Sequence, residues 1–331
     1  MNVQPLFNKT YDGDLTYIVQ FPNYILGGSS NPREFNTIFE APLETLQPIT
    51  ALLELEILAK RSYIDRLRLW FNSIAVAREI KPMYSYKLGN EVFNKIIFNV
   101  KPLIEGRRVR QYPLRIYYDS QEEIRILKLA LLLAYSAKES KTIASYAANS
   151  FTLNPAHEVT INIASAKEMN RRSKVRVTGY INGNGSLAID CCGDEKRINV
   201  SGIIDIETHC LLGCGELKLK YLNGATEVLI SSVLAYTVLR PEPEIEIALD
   251  ELREDNARII VSNKGNAEPD NAILMVLAAG NITYRKSLNI PSNSHQKFEI
   301  PIKKGSTNIV RVIWRYRGET RFTEAKIKAC P

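Results

Sequence analysis

FNKIIFNVKPLIEGRRVRQYPLRIYYDSQEEIRILKLALLLAY, residues 93–135, and EKRINVSGIIDIETHCLLGCGELKLKYLNGATEVLISSVLAY, residues 195–236, read as two copies of one text. Phe98-Asn99-Val100 answers Ile198-Asn199-Val200, and Leu103-Ile104 answers Ile203-Ile204. Leu114-Arg115-Ile116-Tyr117-Tyr118 answers Leu217-Lys218-Leu219-Lys220-Tyr221, and Leu133-Ala134-Tyr135 answers Leu234-Ala235-Tyr236. The copies differ in length around Gly106 and Gly213, and around Asp119 and Gly224, where the turns of a repeated β-unit absorb insertions.

Outward from these copies the pattern is one of strands. Leu53-Glu54-Leu55-Glu56-Ile57 and Arg66-Leu67-Arg68-Leu69 alternate with period two, as do Val159 to Ile163 and Lys174 to Val177. Charged residues between aliphatic ones mark strands with one dry and one wet face, which puts Glu54 and Glu56 on the wet side. Ala59-Lys60 and Ala166-Lys167 extend the repeat back to about Leu52 in one copy and Glu158 in the other. Glu122 to Lys138 is rich in helix formers, but a helix there would bury nearly its whole circumference, and its counterpart Val228 to Val238 is β-branched; strand is the expectation. Residues 1–45 read as a strand or two among long loops, and Gly183-Asn184-Gly185 as a hairpin turn.

After Pro241-Glu242-Pro243-Glu244, short strands alternate with turns such as Asn263-Lys264-Gly265-Asn266, Ala279-Gly280-Asn281 and Pro291-Ser292-Asn293, the punctuation of an antiparallel sandwich. Residues 257–317, from ARIIVSNKGNAEPDNAILMVLAAGNITYRKSLNIPSNS to FEIPIKKGSTNIVRVIW, resemble immunoglobulin-like modules of the CARDB type: strand, N-x-G-N turn, strand, Pro-Ser tip, then a strand opening G-x-x-x-I. The modules continue I-x-V, where this sequence has Ile309-Val310-Arg311. Phe98 to Ile104, an Arg-rich turn and Leu114-Arg115-Ile116 resemble the late strand–turn–strand of galactose-binding-like jelly rolls. The second copy departs from this, with Ser201-Gly202 for Lys101-Pro102. Both resemblances imply binding or scaffolding, and neither brings a catalytic residue.

Apolar content of 45 % and charged content of 24 % over 331 residues describe a folded chain of two or three domains. The net charge of +7 is spread thinly, which argues against a nucleic-acid footprint; the dense clusters, Arg107-Arg108-Val109-Arg110 and Arg171-Arg172-Ser173-Lys174, read as solvated loops. No apolar run approaches the ~20 residues of a membrane helix, and the amino end lacks the plan of a secretory signal. Scarce Gln and many charges lean towards a thermophilic source, abundant Asn the other way.

Four of five cysteines, Cys191, Cys192, Cys210 and Cys214, gather in the second copy beside His209. Three readings stand: disulfides between the two pairs, buried free thiols, or a metal site, for which the spacing is poor. His157, His209 and His295 offer no convincing partner for a nucleophile. Carboxylates occur in pairs (Asp12/Asp14, Glu54/Glu56, Glu122/Glu123, Glu251/Glu254/Asp255), but no phosphate or dinucleotide glycine motif appears. Trp70, Tyr84, Tyr86 and Tyr112 are the candidate ligand contacts in an aromatic-rich first copy, against the alternative that they pack in the core.

The expectation is an all-β chain: two tandem jelly-roll-like β-sandwiches, 1–140 and 141–240, and an immunoglobulin-like β-sandwich, 241–331. The expected function is a non-catalytic structural or interaction protein, a subunit of a surface, filament or virus-like assembly. Its partners would be other protein subunits, with homo-oligomers among them, and it would need no metal, cofactor or nucleic acid. The alternatives are a carbohydrate-binding protein using the first-copy aromatics, and a glycoside hydrolase-type enzyme with a carboxylate pair in the first copy.

Overall fold

The computed structural model describes residues 2–41, 47–62, 64–77, 79–105, 110–137, 140–163, 173–210, 214–224, 226–239, 241–316 and 319–328. Ala166-Lys167, residues 107–109 and 171–172 of the Arg-rich clusters, Gly106, Gly213 and the fifth cysteine, Cys330, lie outside the described residues. The chain is almost wholly β. Its first part holds β1 (Asn2–Val3), β2 (Phe7–Tyr11), β3 (Asp14–Gln20), β4 (Tyr24–Gly27), β5 (Glu34–Glu40) and β6 (Pro48–Ala59). There follow β7 (Leu67–Phe71), β8 (Ile74–Ala75), β9 (Tyr84–Leu88), β10 (Glu91–Asn99), a one-turn helix (Lys101–Ile104), β11 (Gln111–Tyr118) and β12 (Glu123–Tyr135). The ambiguous Leu- and Ala-rich segment is thus a strand, and residues 1–45 hold five strands where one or two were expected.

Two sheets build the first sandwich. The outer sheet has the order β5-β11-β7-β8; the middle sheet runs β3-β12-β6-β10-β9, with β4 also on β12. Leu53, Leu55 and Ile57 of β6 and Leu129, Leu131 and Leu133 of β12 meet Leu69, Phe71, Leu114 and Ile116 of the outer sheet in one core. The opposite face of the middle sheet is covered too, by a third sheet, so β6 and β12 are buried on both faces. That is why β12 reads as a nearly unbroken apolar run.

The third sheet contains β13 (Lys141–Ala147), β14 (Phe151–Leu153), β15 (Glu158–Asn162), β16 (Ser173–Cys191), β17 (Asp194–Cys210), β18 (Glu216–Gly224) and β19 (Val228–Leu239). Its path is β1-β15-β18-β16-β19-β13-β2, with β17 on β16 and β14 on β19. The 19-residue β16 pairs with β19 through its first half and with β18 through its second. A register shift between Ile181 and Asn184, opposite Gly202, separates the halves. Gly183 and Gly202 hold φ of 114° and 61°, and neither position is crowded, so the bent backbone is what calls for glycine there. Gly183-Asn184-Gly185 is therefore the corner of a folded sheet, not a hairpin turn; the turn lies at Cys192-Gly193, both at positive φ. Folded at this corner, the sheet encloses its own core, with Val175, Val177, Ile189, Leu217, Leu219 and Val233.

The duplication is visible in the pairing. In the first sandwich β11 lies between β5 and β7, and β12 pairs with β6, β3 and β4. In the second, β18 lies between β15 and the far half of β16, and β19 pairs with the near half of β16, β13 and β14. The last two strands of each copy correspond as read. The first does not: Phe98-Asn99 pairs with β6, whereas Ile198-Asn199 lies beyond the corner, opposite Ser186 and Leu187. Likewise β15 matches β5, not β6, and Lys174 to Val177 takes the place of β6. The short alternating motifs resemble one another closely enough to slip.

Residues 1–239 form one compact unit and 240–331 another. The expected division at 140/141 falls between β12 and β13 in the chain, but β1 and β2 belong to the third sheet: β1 runs parallel to β15 and β2 antiparallel to β13. The chain then crosses to the middle sheet at Gly13, where a Cβ would stand 2.0 Å from the Tyr135 carbonyl oxygen. Only glycine fits that crossing.

The second unit packs β20 (Ile245–Leu252), β21 (Asn256–Asn263) and β24 (Ser294–Pro301) against β22 (Asn271–Ala278), β23 (Asn281–Leu288), β25 (Thr307–Tyr316) and β26 (Glu319–Lys328). The strict alternation of β21, β22 and β25 sends one face of each into a single core. Three strands facing four is an immunoglobulin-like arrangement. Buried Asn263 shapes its first turn, accepting from the Glu244 and Gly265 amides at 3.0 Å each and donating to Ala267 and Ile290 carbonyls.

Candidate functional site

Glu54 and Glu56 are the residues the structure most changes. The expected wet face of β6 is the junction between the middle and third sheets, where Glu54, Glu56, Lys95 and Lys128 are each 2 % exposed or less. A bulge at Leu127, between the Ile126 and Lys128 pairings, lets two consecutive residues of β12 face the junction. A second bulge, at Ser231, does the same for Ser231 and Ser232 on β19. The Lys128 ammonium donates to Glu56 Oε1 (2.8 Å), Thr178 Oγ1 (2.8 Å) and Ser232 Oγ (2.7 Å), and lies 3.0 Å from Glu54 Oε2. Lys95 donates to the Ser231 carbonyl (2.6 Å) and Ser232 Oγ (3.1 Å), and stands 3.5 Å from Glu54 and 3.9 Å from Glu56. Tyr17 donates to Glu54 Oε1 at 3.2 Å.

Two carboxylates and two ammonium groups neutralise one another in a sealed layer. Burial alone would raise the Glu54 carboxyl; Lys128 first and then Lys95 override it and hold the group down to about 2. The lysines diverge for a geometric reason. Lys128, close to both carboxylates, is raised despite its burial, whereas Lys95 is lowered by burial, its carboxylates being farther away and Lys128 nearby. Tyr17 is pushed up by burial and then by the carboxylates. A substrate cannot reach this carboxylate pair. Its role is to fix how the two sandwiches meet, since a shift of one strand would strand a charge in a dry layer. Of the other acidic groups, Asp14 is buried, Glu123 accepts from Asn31, and several pair on the surface: Glu122 with Arg61, Glu251 with Arg253 and Arg258, and Glu254 and Asp255 with Lys304.

The four expected aromatic contacts separate. Tyr112 is wholly buried and stacks on Phe71 at 5.9 Å. Tyr84 and Tyr86 reach from β9 towards the third sheet, donating to Asn149 Oδ1 (2.6 Å) and to the Ser150 carbonyl. These three hold sheets together and do not form a platform. Trp70 alone faces outward, half-buried, from β7. Asn36, Arg115, Trp70 and Ala75 form one cross-strand row over the outer sheet, with Ile38 opposite Pro113 alongside. The Arg115 guanidinium carbon lies 5.1 Å from the indole centroid, and one of its nitrogens is 2.6 Å from Glu34, which also accepts from Asn36 at 2.7 Å. The Asn36 bond and then Arg115 hold the Glu34 carboxyl below its usual range. Thr37, Ile38, Ser73 and Leu114 complete a depression of about 710 Å³. The contributions of Ile38, Arg115 and Lys128 were not legible beforehand; what marks the outer face is the alternation Glu34-Asn36-Ile38 against Phe35 and Phe39.

The cysteines form two bridges, Cys191–Cys210 and Cys192–Cys214, with Cα atoms 5.7 Å apart in each. The first joins the two halves of the folded sheet inside its core; the second is exposed at the hairpin tip. Lys196 braces the same closure, donating to Thr208 Oγ1 and the His209 carbonyl at 2.7 Å each. Among the described residues, no group of three or more His, Cys, Asp or Glu side chains could hold a metal ion, and no helix is long and apolar enough to cross a membrane. Also among the described residues, the 17-residue β17 pairs on one side only, with β16, whereas its counterpart β10 is covered by β9.

No family model matches the chain, and no curated protein matches its sequence. Among solved structures it is similar to a β-glucuronidase of Ruminococcus gnavus, at 12 % identity and a TM-score of 0.24, over 58 % of this chain and 36 % of that one. The Parabacteroides merdae β-glucuronidase gives 10 % identity and 0.24, over 57 % and 27 %. The R. gnavus enzyme in complex with uronic isofagomine gives 11 % and 0.21, over 89 % and 34 %. The chain spans about a third of the length of these enzymes. At such scores the likeness says nothing of function.

Proposed function

We propose that the chain is a non-catalytic interaction protein, a subunit that joins its neighbours through the open edge of its second sandwich. The observation behind this reading is β17, which among the described residues pairs with β16 alone and has backbone hydrogen-bonding groups to offer on its other side. Within it Ile198-Asn199-Val200-Ser201-Gly202-Ile203-Ile204 carries no charge. Charge is the usual guard of an open edge, and its absence over seven residues leaves this one ready to pair. The partner is a second copy of the chain, pairing edge to edge. The two disulfides fit a working place in an oxidising environment, outside the cell or on an assembled surface.

Successive residues of a strand direct their amides to opposite sides, so Ile198→Pro and Asn199→Pro separate the two roles of the edge. One removes a bond to β16 and lowers Tm; the other removes only an outward donor. Light scattering of the full chain is expected to show species that grow with concentration, and the outward variant to disperse them at unchanged Tm. A monomer at every concentration would refute the proposal.

A further inference from the structure

We infer that the depression on the outer sheet is a binding subsite for a neutral saccharide ring, with Trp70 as its floor. The chemistry of the lining carries the inference. A pyranose ring offers an apolar face of C–H groups and a rim of hydroxyls, and it is recognised by a flat aromatic surface beside short polar side chains. The depression supplies both. Trp70, Ile38 and Pro113 make an apolar strip, with Ile38 itself 48 % exposed. Asn36, Ser73 and Arg115 place an amide, a hydroxyl and a guanidinium along its borders. Among the described residues no carboxylate and no lysine lines it, which gives a strongly charged ligand little to favour it.

The floor is also held in place before any ligand arrives. One face of the Trp70 indole is held by the Arg115 guanidinium, and Arg115 by Glu34, which Asn36 fixes in turn. The Arg115 side chain nonetheless remains 52 % exposed and lines the depression. Ser73 sits in the β7–β8 turn, where Asn72 and Ser73 both adopt positive φ and the Asn72 side chain is tied to the Leu103 carbonyl at 2.9 Å. The site thus rests on a sheet and one tight turn, an arrangement that loses little entropy on binding. A volume of about 710 Å³ accommodates a short oligosaccharide more readily than a single ring.

The chain contains two tryptophans, and the other, Trp314, is 7 % exposed in the second unit. A ligand-induced change in tryptophan fluorescence therefore reports on Trp70. The test is a titration of the full chain with soluble neutral oligosaccharides (β-1,4-glucan, β-1,3-glucan, mannan and chitin oligomers), followed by fluorescence and checked by calorimetry, with heparin as a polyanionic control. Saturable binding of at least one neutral oligomer is expected, weakened at least ten-fold by Trp70→Ala and much less by Trp70→Phe, with Tm unchanged in both. No saturable response across the panel, equal affinity in Trp70→Ala, or binding of heparin alone would overturn the inference. None of these outcomes bears on the β17 edge, which lies on another sheet.

Discussion

The two sandwiches of the first unit share a strand order and close it by different means. In the first, the corner between the sheets is made of loops, and its middle sheet is buried on both faces. In the second, one continuous hairpin, bent at Gly183 and Gly202, supplies strands to both halves, and two disulfides with Lys196 hold the fold shut. The difference follows from what each copy has behind it. The middle sheet has a neighbour to specify, and does so with four buried charges that admit a single alignment. The far half of the folded sheet is tied to the near half by the Cys191–Cys210 bridge inside their shared core.

The comparison breaks most sharply at Lys128. Lys128→Met leaves two buried carboxylates with one distant ammonium, at a cost of about 3–5 kcal/mol, seen as a large drop in the denaturant midpoint. Replacing all four charged groups by apolar residues of similar size is expected to recover most of it. A small loss in Lys128→Met would mean that the junction is not organised by charge.

Acid probes the same layer. The Glu54 carboxyl is held down to about 2, below its value in an unfolded chain, so its contribution is complete above pH ~4.5 and is lost as pH falls towards 2. For a fully buried group that amounts to roughly 3 kcal/mol. Glu54→Gln, already less stable at neutral pH, is expected to show a flatter stability curve over this window; parallel curves would count against the assignment. The staple gives the smallest effect. Reduction and alkylation should reach Cys192–Cys214 before Cys191–Cys210, and removing the buried bridge by Cys191→Ala with Cys210→Ala is expected to cost up to about 3 kcal/mol by loop closure. Equal labelling of both pairs in mass spectrometry would show that the core around the inner bridge opens readily.

The fold was largely legible because it rests on local alternation and on turn residues. Asn263 to Asn266, Ala279 to Asn281 and Pro291 to Asn293 all close strands where the text says they should. Glu54 and Glu56 were misread for a reason that local pattern contains nothing to correct. Alternating Leu and Glu looks the same whether the polar face meets water or meets Lys95 and Lys128, which arrive from strands far along the chain. The bulges at Leu127 and Ser231, which aim the partners, leave no mark in composition. Tyr84 and Tyr86 were misplaced similarly, because their acceptors, Asn149 and Ser150, lie far along the chain in the connection between β13 and β14. The repeat was real but slipped, since a period of two cannot tell β5 from β6.

The crossing at Gly13 gives the molecule a belt-and-buckle order of assembly. β2 is synthesised long before β13, and the bond between Asn8 and Ser145 spans 137 positions. An early strand must wait unpaired while the whole first sandwich forms, and then fasten to the edge of the second. Cutting the chain between 137 and 140 would therefore not release two finished halves: each would carry away something the other needs.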